Sequence, residues 1–338
     1  MRNQQRLTNR PYLTILTVLA ILGFTLGCNK INEIVKKAAN KDSKPPVTRE
    51  TPSENGGNSD ESGDTLVKKT NYYISDCYNR YSSRVVDSHN RYASWVKNLD
   101  QGPTGKESIV YGLYDVTGDG SDCETAVSSA KALDPSMPEL EDAADKYVAA
   151  LKDVIGEIRG IYTYYEQEDY KDDNFAKGKA AHAGLMESFK TFKEANATFA
   201  AEVDKLEDDV AEKELARLKD AGNTADALIV ETGIKAKKIK NVLQEKEFEQ
   251  ISADELNPLI EDFNKTVDEL KADKTKTMAS MYTSACDDFT KAAKEMMRRI
   301  RDKKPFSNTE KQFISTGTGW MVEGSPAKVI KAYNDMVS

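Results

Sequence analysis

Histidine is nearly absent: His89 and His182 are the only two in 338 residues. They lie far apart, and neither sits in an HExxH or Cys–His spacing, which excludes the common zinc-enzyme patterns. No GxSxG, Walker or GxGxxG pattern occurs, so nothing points to a nucleophile elbow, a phosphate loop or a dinucleotide site. Proline is scarce, ten in all, with none between Glu139 and Asn257, and glycine is missing from Leu185 to Ala221. Stretches of that length without either breaker favour long helices. Strand-like alternation of apolar and polar residues is lacking at any length. Four cysteines and 19 glycines are too few for a disulfide scaffold or a collagen-like repeat. Positive charge is in deficit, with 48 Lys and Arg against 56 Asp and Glu for a net −8, which argues against nucleic acid as a partner. Only one segment is long and apolar enough to touch a bilayer, so a polytopic membrane protein is excluded.

That segment opens the chain. Residues 1–27 hold Arg2, Arg6 and Arg10 and no acidic residue, and Tyr12–Leu26 is nearly continuous in apolar and small residues before Gly27-Cys28. A basic start, a short apolar run and a small residue before the cut form a secretory signal. The run is shorter than the roughly 20 residues that span hydrocarbon. The Cys at its end resembles a bacterial lipoprotein signal, in which the thiol is acylated and becomes the mature N-terminus. Lipidation is therefore expected at Cys28, with the bilayer as partner. An uncleaved anchor and an ordinary signal with an incidental Cys are the alternatives. Two or more hydrocarbon chains are what stable anchoring needs. In enterobacterial lipoproteins, whose signal this one resembles, an Asp after the Cys favours inner-membrane retention, so Asn29 implies the outer membrane, facing the periplasm. Residues 28–66 read as a disordered linker. From Lys41 to Asp64 there is no aromatic residue, and Val47 is the only aliphatic one. Such a stretch cannot bury enough apolar surface to offset its ordering entropy. As a random coil it would reach about 30 Å.

The rest, 67–338, is expected to be all-α: an elongated antiparallel bundle of long helices. Ile74, Tyr78, Tyr81, Val85, Tyr92, Trp95 and Leu99 fall at steps of three and four with Ser88 filling the gap, a heptad-like seam ended by Gly102-Pro103. A loop follows from Thr104 to Ser121. A second helix opens near Pro138, with Glu139, Glu141 and Asp142 suiting its positive end, and runs to about Gln167. A third carries Leu185, Phe189, Phe192, Phe199, Val203, Leu206 and Val210 and stops at Gly222. Asn223 or Thr224 caps a fourth. Ser252 and Glu255 form a capping-box pattern before a helix carrying Leu256, Phe263, Leu270, Met281, Phe289, Met296 and Ile300, closed by Pro305. A short last helix opens at Ser325-Pro326. One domain, or a helical domain with a long hairpin arm, both fit.

Several segments are more specific than periodicity. The run NYYISDCYNRYSSRVVDSHNRYASWV at 71–96, GPTG at 102–105, YGLY at 111–114 and YTYYEQEDYKDDNFAKGKAAHAGLMESF at 162–189 resemble the YiiG-like family of bacterial lipoproteins. AAKEMMRRIRDKKPFSNTEK at 292–311 and GSPAKVIKAYND at 324–335 are similar to it as well. The resemblance implies an all-helical exported lipoprotein of unknown function, and it carries no catalytic residues over.

Chemistry-bearing clusters are few. With Cys28 lipidated, Cys77, Cys123 and Cys286 remain, and an oxidising envelope favours one pair. Cys77–Cys123 would fasten the loop to the first helix; three free thiols are the alternative, since spacing does not fix connectivity. Asp115, Asp119, Asp122 and Glu124 surround Gly118 and Gly120, but not at EF-hand spacing, and a solvated turn suits them better than calcium. Glu166, Glu168, Asp169, Asp172 and Asp173 follow Tyr162, Tyr164, Tyr165 and Tyr170. They suit a helix-to-helix corner; as a ligand or metal site, Tyr165, Glu166, Asp169 and Asp172 would be its members. Arg298, Arg299, Arg301, Lys303 and Lys304 make a basic helix end, or a contact for anionic headgroups or an acidic partner. No cofactor is indicated. The expected function is a non-catalytic interaction or scaffolding module for envelope proteins, with small-ligand or metal binding at 162–173 second and an enzyme third. The oligomeric state stays open.

Overall fold

The structure, a computed structural model, describes residues 58–273 and 279–337. The leader 1–27, Cys28 and the linker as far as residue 57 lie outside the described residues. No strand occurs among the described residues, and the chain is an all-α helical bundle. It divides into two compact units, 58–210 and 211–337.

The first unit opens with α1 (Asn58–Tyr73), a π-turn (Ile74–Tyr78) and α2 (Asn79–Trp95) in one uninterrupted helical run. The last residues of the segment expected to be linker are thus helical. Burial explains the difference: Leu66 is 5% exposed, and Lys69 is fully buried. The Lys69 ammonium donates to the carbonyls of Leu133 (3.0 Å) and Pro135 (2.7 Å) and to Glu141 Oε1 (3.0 Å). The seam from Ile74 to Trp95 is buried at every position named for it, Ser88 included. Leu99 is not part of the helix. Val96 turns extended at φ −79°, ψ 107°, so α2 ends there and not at Gly102.

Two elements follow, α3 (Ser121–Lys131) and α4 (Pro138–Glu166). Nothing in the sequence pattern flagged α3, because its buried residues are small: Cys123, Ala126, Val127 and Ala130. Helix α4 begins at the expected Pro138. No side chain caps it at Met137; the Glu141 carboxylate accepts the Met137 N–H instead, at 2.9 Å. Helix α5 (Ala176–Asp220) starts earlier than its first large apolar residue and ends as expected, with Gly222 at φ +67°. Residues up to Val210 belong to the first unit. The core of this unit is aromatic. Tyr147 lies 4.9 Å from Phe199 and 5.5 Å from Phe192, and Tyr78 lies 5.8 Å from Phe199, at tilted or edge-on angles that aromatic pairs favour.

The second unit holds the end of α5, α6 (Thr224–Glu245), α7 (Ala253–Ala272), α8 (Ala279–Arg301), α9 (Asn308–Ser315) and α10 (Pro326–Val337). The expected helix from Leu256 to Ile300 is two helices. On one straight helix, residues 263 and 289 would stand about 39 Å apart. Here the Phe263 and Phe289 rings are 5.1 Å apart, and Thr290 Oγ1 donates to Asn264 Oδ1 at 2.7 Å. The chain therefore doubles back, and Met281, expected in the core, is 82% exposed. Leu256, Ile260, Phe263, Val267, Leu270, Phe289, Met296, Val329 and Tyr333 form one apolar core. Ser252 caps α7 by accepting the Glu255 N–H at 3.1 Å, half of the capping box expected there. The full box occurs at α9, where Ser307 and Glu310 bond reciprocally.

Candidate functional site

The loop from 97 to 120 is strapped along α2, and α2's own side chains hold it. Trp95 Nε1 donates to the Gly112 carbonyl (2.9 Å), Arg91 Nε to Tyr111 (2.6 Å), Ser88 Oγ to Tyr114 (2.9 Å) and Arg84 Nε to Asp115 (2.7 Å). Donors at 84, 88, 91 and 95 recur every three or four residues, so one helix face carries the whole strap. Leu113 and Val116 point inward and are about fully buried. The guanidinium carbons of Arg84 and Arg91 each lie 4.4 Å from the Tyr114 ring centroid. Beside them an open groove of about 550 Å³ is lined by Asp87, Asn90, Ser94 and Tyr111 as well. Close approach fixes glycine here: a Cβ on Gly112, where φ is +66°, would fall 2.9 Å from the Tyr165 Cβ.

The Tyr–acid corner separates its members. Tyr165 is 5% exposed, its ring 5.3 Å from Trp95 and 6.2 Å from Tyr92, and burial pushes its phenol far above the ordinary range. Glu166, Asp169 and Asp172 are exposed. The candidate residues thus divide into one buried phenol and three carboxylates in water. The acid that works in the corner is Asp173: it accepts Tyr164 Oη–H at 2.7 Å and the Lys177 N–H at 2.8 Å. The Lys177 amide is the leading cause of its lowered carboxyl pKa. Asp173 thus secures the start of α5, as a residue before a helix N-terminus can. Phe175 adopts a left-handed φ of +61°, unusual for a bulky side chain, and is held by its contact with Tyr170 at 4.7 Å.

No motif in the sequence marks His182. Its Nε2–H donates to the Leu99 carbonyl at 2.8 Å, which leaves Nδ1 to accept from Tyr92 Oη–H at 2.9 Å. Its partners are 83 and 90 residues away in sequence, so no local signal announces them. His89 is a packing residue. It is 7% exposed and edge-on to Phe189 at 5.1 Å, with Lys193 Nζ 3.0 Å from Nε2. Burial, then the Lys193 charge, lowers its pKa to about 4.

Cys77 in the π-turn and Cys123 in α3 form a disulfide, the pairing expected, and Cys286 is free and buried. Burial first, then the nearby Asp287 charge, pushes the Cys286 thiol up to about 12, which keeps it a neutral, unreactive thiol. Three of the four acids around the Asp–Gly loop bond to protein. Asp119 accepts the Ser121 N–H (3.0 Å), Asp122 accepts from Tyr81 and pairs with Arg80 (2.7 Å), and Glu124 pairs with Lys152 (2.8 Å). Among the described residues, no group of three or more His, Cys, Asp or Glu is placed to hold a metal ion. At the basic end, Arg299 is 7% exposed, lies 4.4 Å from the Phe306 ring, and donates to Glu310 at 2.6 Å. That bond, with the Ser307 amide, holds the Glu310 carboxyl at about 2.

Residues 64–338, which hold the strap, the corner and both units, match the family model described as "Protein of unknown function (DUF3829)". The chain belongs to this family. It is also 32% identical over 276 residues to "Uncharacterized protein YiiG" of Escherichia coli (strain K12), covering 80% of this chain and 77% of that one. No solved structure matches it. The family match takes in every segment that carried the YiiG-like resemblance, and it brings no activity with it.

Proposed function

We propose that this protein is a lipoprotein of the bacterial cell envelope, anchored through acylated Cys28 to the outer membrane and facing the periplasm. Its helical body is then a non-catalytic interaction module for envelope proteins. The observation that carries the proposal is the leader: three arginines, an apolar run and Gly27-Cys28, ahead of a body of a different, acidic character. The Cys77–Cys123 disulfide supports an oxidising compartment. The strap adds a reason to favour interaction over chemistry. Its groove presents two guanidinium groups on the Tyr114 ring and Tyr111 at 49% exposure, and the same loop exposes Ile109, a mixture typical of recognition surfaces.

Two experiments test this. Cys28→Ala should move the protein from the membrane to the soluble fraction of the envelope; unchanged membrane fractionation would refute the anchor. Crosslinking in cells followed by recovery of the tagged chain should yield defined envelope partners. Recovery of monomer alone would refute the interaction module.

A further inference from the structure

Helix α9 buries none of its residues. Around it the chain leaves large apolar side chains in water: Phe313 is 41% exposed, Trp320 46% and Met321 54%. These are three of the six exposed large hydrophobic residues among those described. They are brought together by the turn after α9. The Phe313 carbonyl accepts both the Thr318 N–H (2.9 Å) and Thr318 Oγ1–H (3.1 Å), and Gly319 packs so close that a Cβ there would fall 3.3 Å from Ile314 Cα. Lys331 Nζ sits 5.9 Å from the Trp320 ring.

The same stretch concentrates positive charge on an acidic chain. From 298 to 311 there are six basic residues, Arg298, Arg299, Arg301, Lys303, Lys304 and Lys311, against Asp302 and Glu310. Both acids are already engaged: Glu310 with Arg299 at 2.6 Å and Asp302 with Arg301 at 2.8 Å. Lys303, Lys304 and Lys311 are exposed and enter no ion pair among the described residues, while exposed Arg298 acts on the Asp302 charge. The Arg299–Glu310 bond ties the end of α8 to the start of α9, so the cations and the aromatic turn belong to one small, braced region.

Exposed aromatic and Met side chains in one region with unpaired lysines are the composition of an interfacial membrane contact. Trp seats at headgroup depth, and long cationic chains reach the phosphates of an anionic surface. We propose that residues 298–321 form a contact surface for an anionic lipid bilayer. A bilayer accounts for both features, since the apolar side chains sit on an open turn and the complementary charge required is negative. The proposal rests on the anchored reading for the presence of a bilayer, but the surface does not involve Cys28.

The molecule carries its own reporter, because its two tryptophans differ: Trp95 is 5% exposed and hydrogen-bonded, and Trp320 is half in water. The experiment uses residues 28–338 with Cys28→Ser, which retain every described residue and carry no acyl chain. These are mixed with vesicles of phosphatidylglycerol, or of phosphatidylcholine alone. Phosphatidylglycerol vesicles should sediment the protein and shift its emission to the blue. Trp320→Phe should abolish the shift while leaving most of the sedimentation. Lys303→Gln with Lys304→Gln should weaken partitioning by roughly tenfold or more, with circular dichroism and Tm unchanged because both side chains are exposed. Salt of about 0.5 M should release the protein. Equal binding to phosphatidylcholine, no binding to phosphatidylglycerol, or a shift that appears on concentrating the protein without vesicles would each overturn the proposal; the last would indicate a second copy of the chain. A bare Cys28 in cells would defeat the anchor and leave this result standing.

Discussion

Single residues show where charge has been taken inside and how it is compensated. Lys69 is the clearest case: a fully buried ammonium with three acceptors, one of them charged. Lys69→Met keeps length and apolar bulk but leaves two carbonyls without this donor and Glu141 without its cation. The expected loss is about 3 kcal/mol, measured as a fall in the urea midpoint at unchanged slope. His89 gives a pH signature. Its pKa is lowered to about 4 in the folded state from 6.5, so between these values the unfolded chain binds the extra proton. Stability should therefore fall as pH drops from 6.5 toward 4, at up to about 1.4 kcal/mol per pH unit from this group. The difference between wild type and His89→Gln, followed by urea unfolding from pH 7.5 to 4, should narrow across that window. A constant difference would show that the ring is not held neutral. The sequence places His89 in a helical stretch, beside the seam position Ser88. It could not show its depressed titration, which comes from Phe189 and Lys193 about a hundred positions away.

At the scale of elements, periodicity was legible and interruption was not. Buried residues from Ile74 to Trp95 repeat at helical spacing, and Pro138 and Gly222 mark ends by fixed physical preferences. The break between α7 and α8 was hidden because Leu270 and Met281 are 11 residues apart, three helical turns, so the apolar phase carries across it. Helix α3 was hidden because alanine and cysteine buried side by side leave no large apolar rhythm. The Tyr–acid corner looked like one chemical cluster because neighbours in sequence were neighbours in kind; burial then sent Tyr165 inward and left Glu166, Asp169 and Asp172 in water. The disulfide acts at this scale, holding the π-turn to α3 across a separation of 46 residues. In the chain-entropy description a loop of that size contributes about 3–4 kcal/mol. Thiol reduction should lower Tm for the wild type and have no further effect on Cys77→Ala with Cys123→Ala. An equal drop in both would place the effect elsewhere.

For the whole molecule, composition and order of segments say more than any side chain. A basic, apolar first segment precedes an acidic helical body whose family match begins at residue 64, so the proposed anchor and the folded body occupy separate parts of the chain. The helical architecture stands on the structure and the family on the comparison of sequences; anchorage is the claim that joins them into a function. Intact mass determination of the protein extracted from cell membranes in detergent tests that claim most directly. The account predicts a chain that begins at Cys28 and is heavier by a diacylglycerol and one further acyl group. A mass that includes residues 1–27 with the Cys28 sulfur unmodified would contradict it.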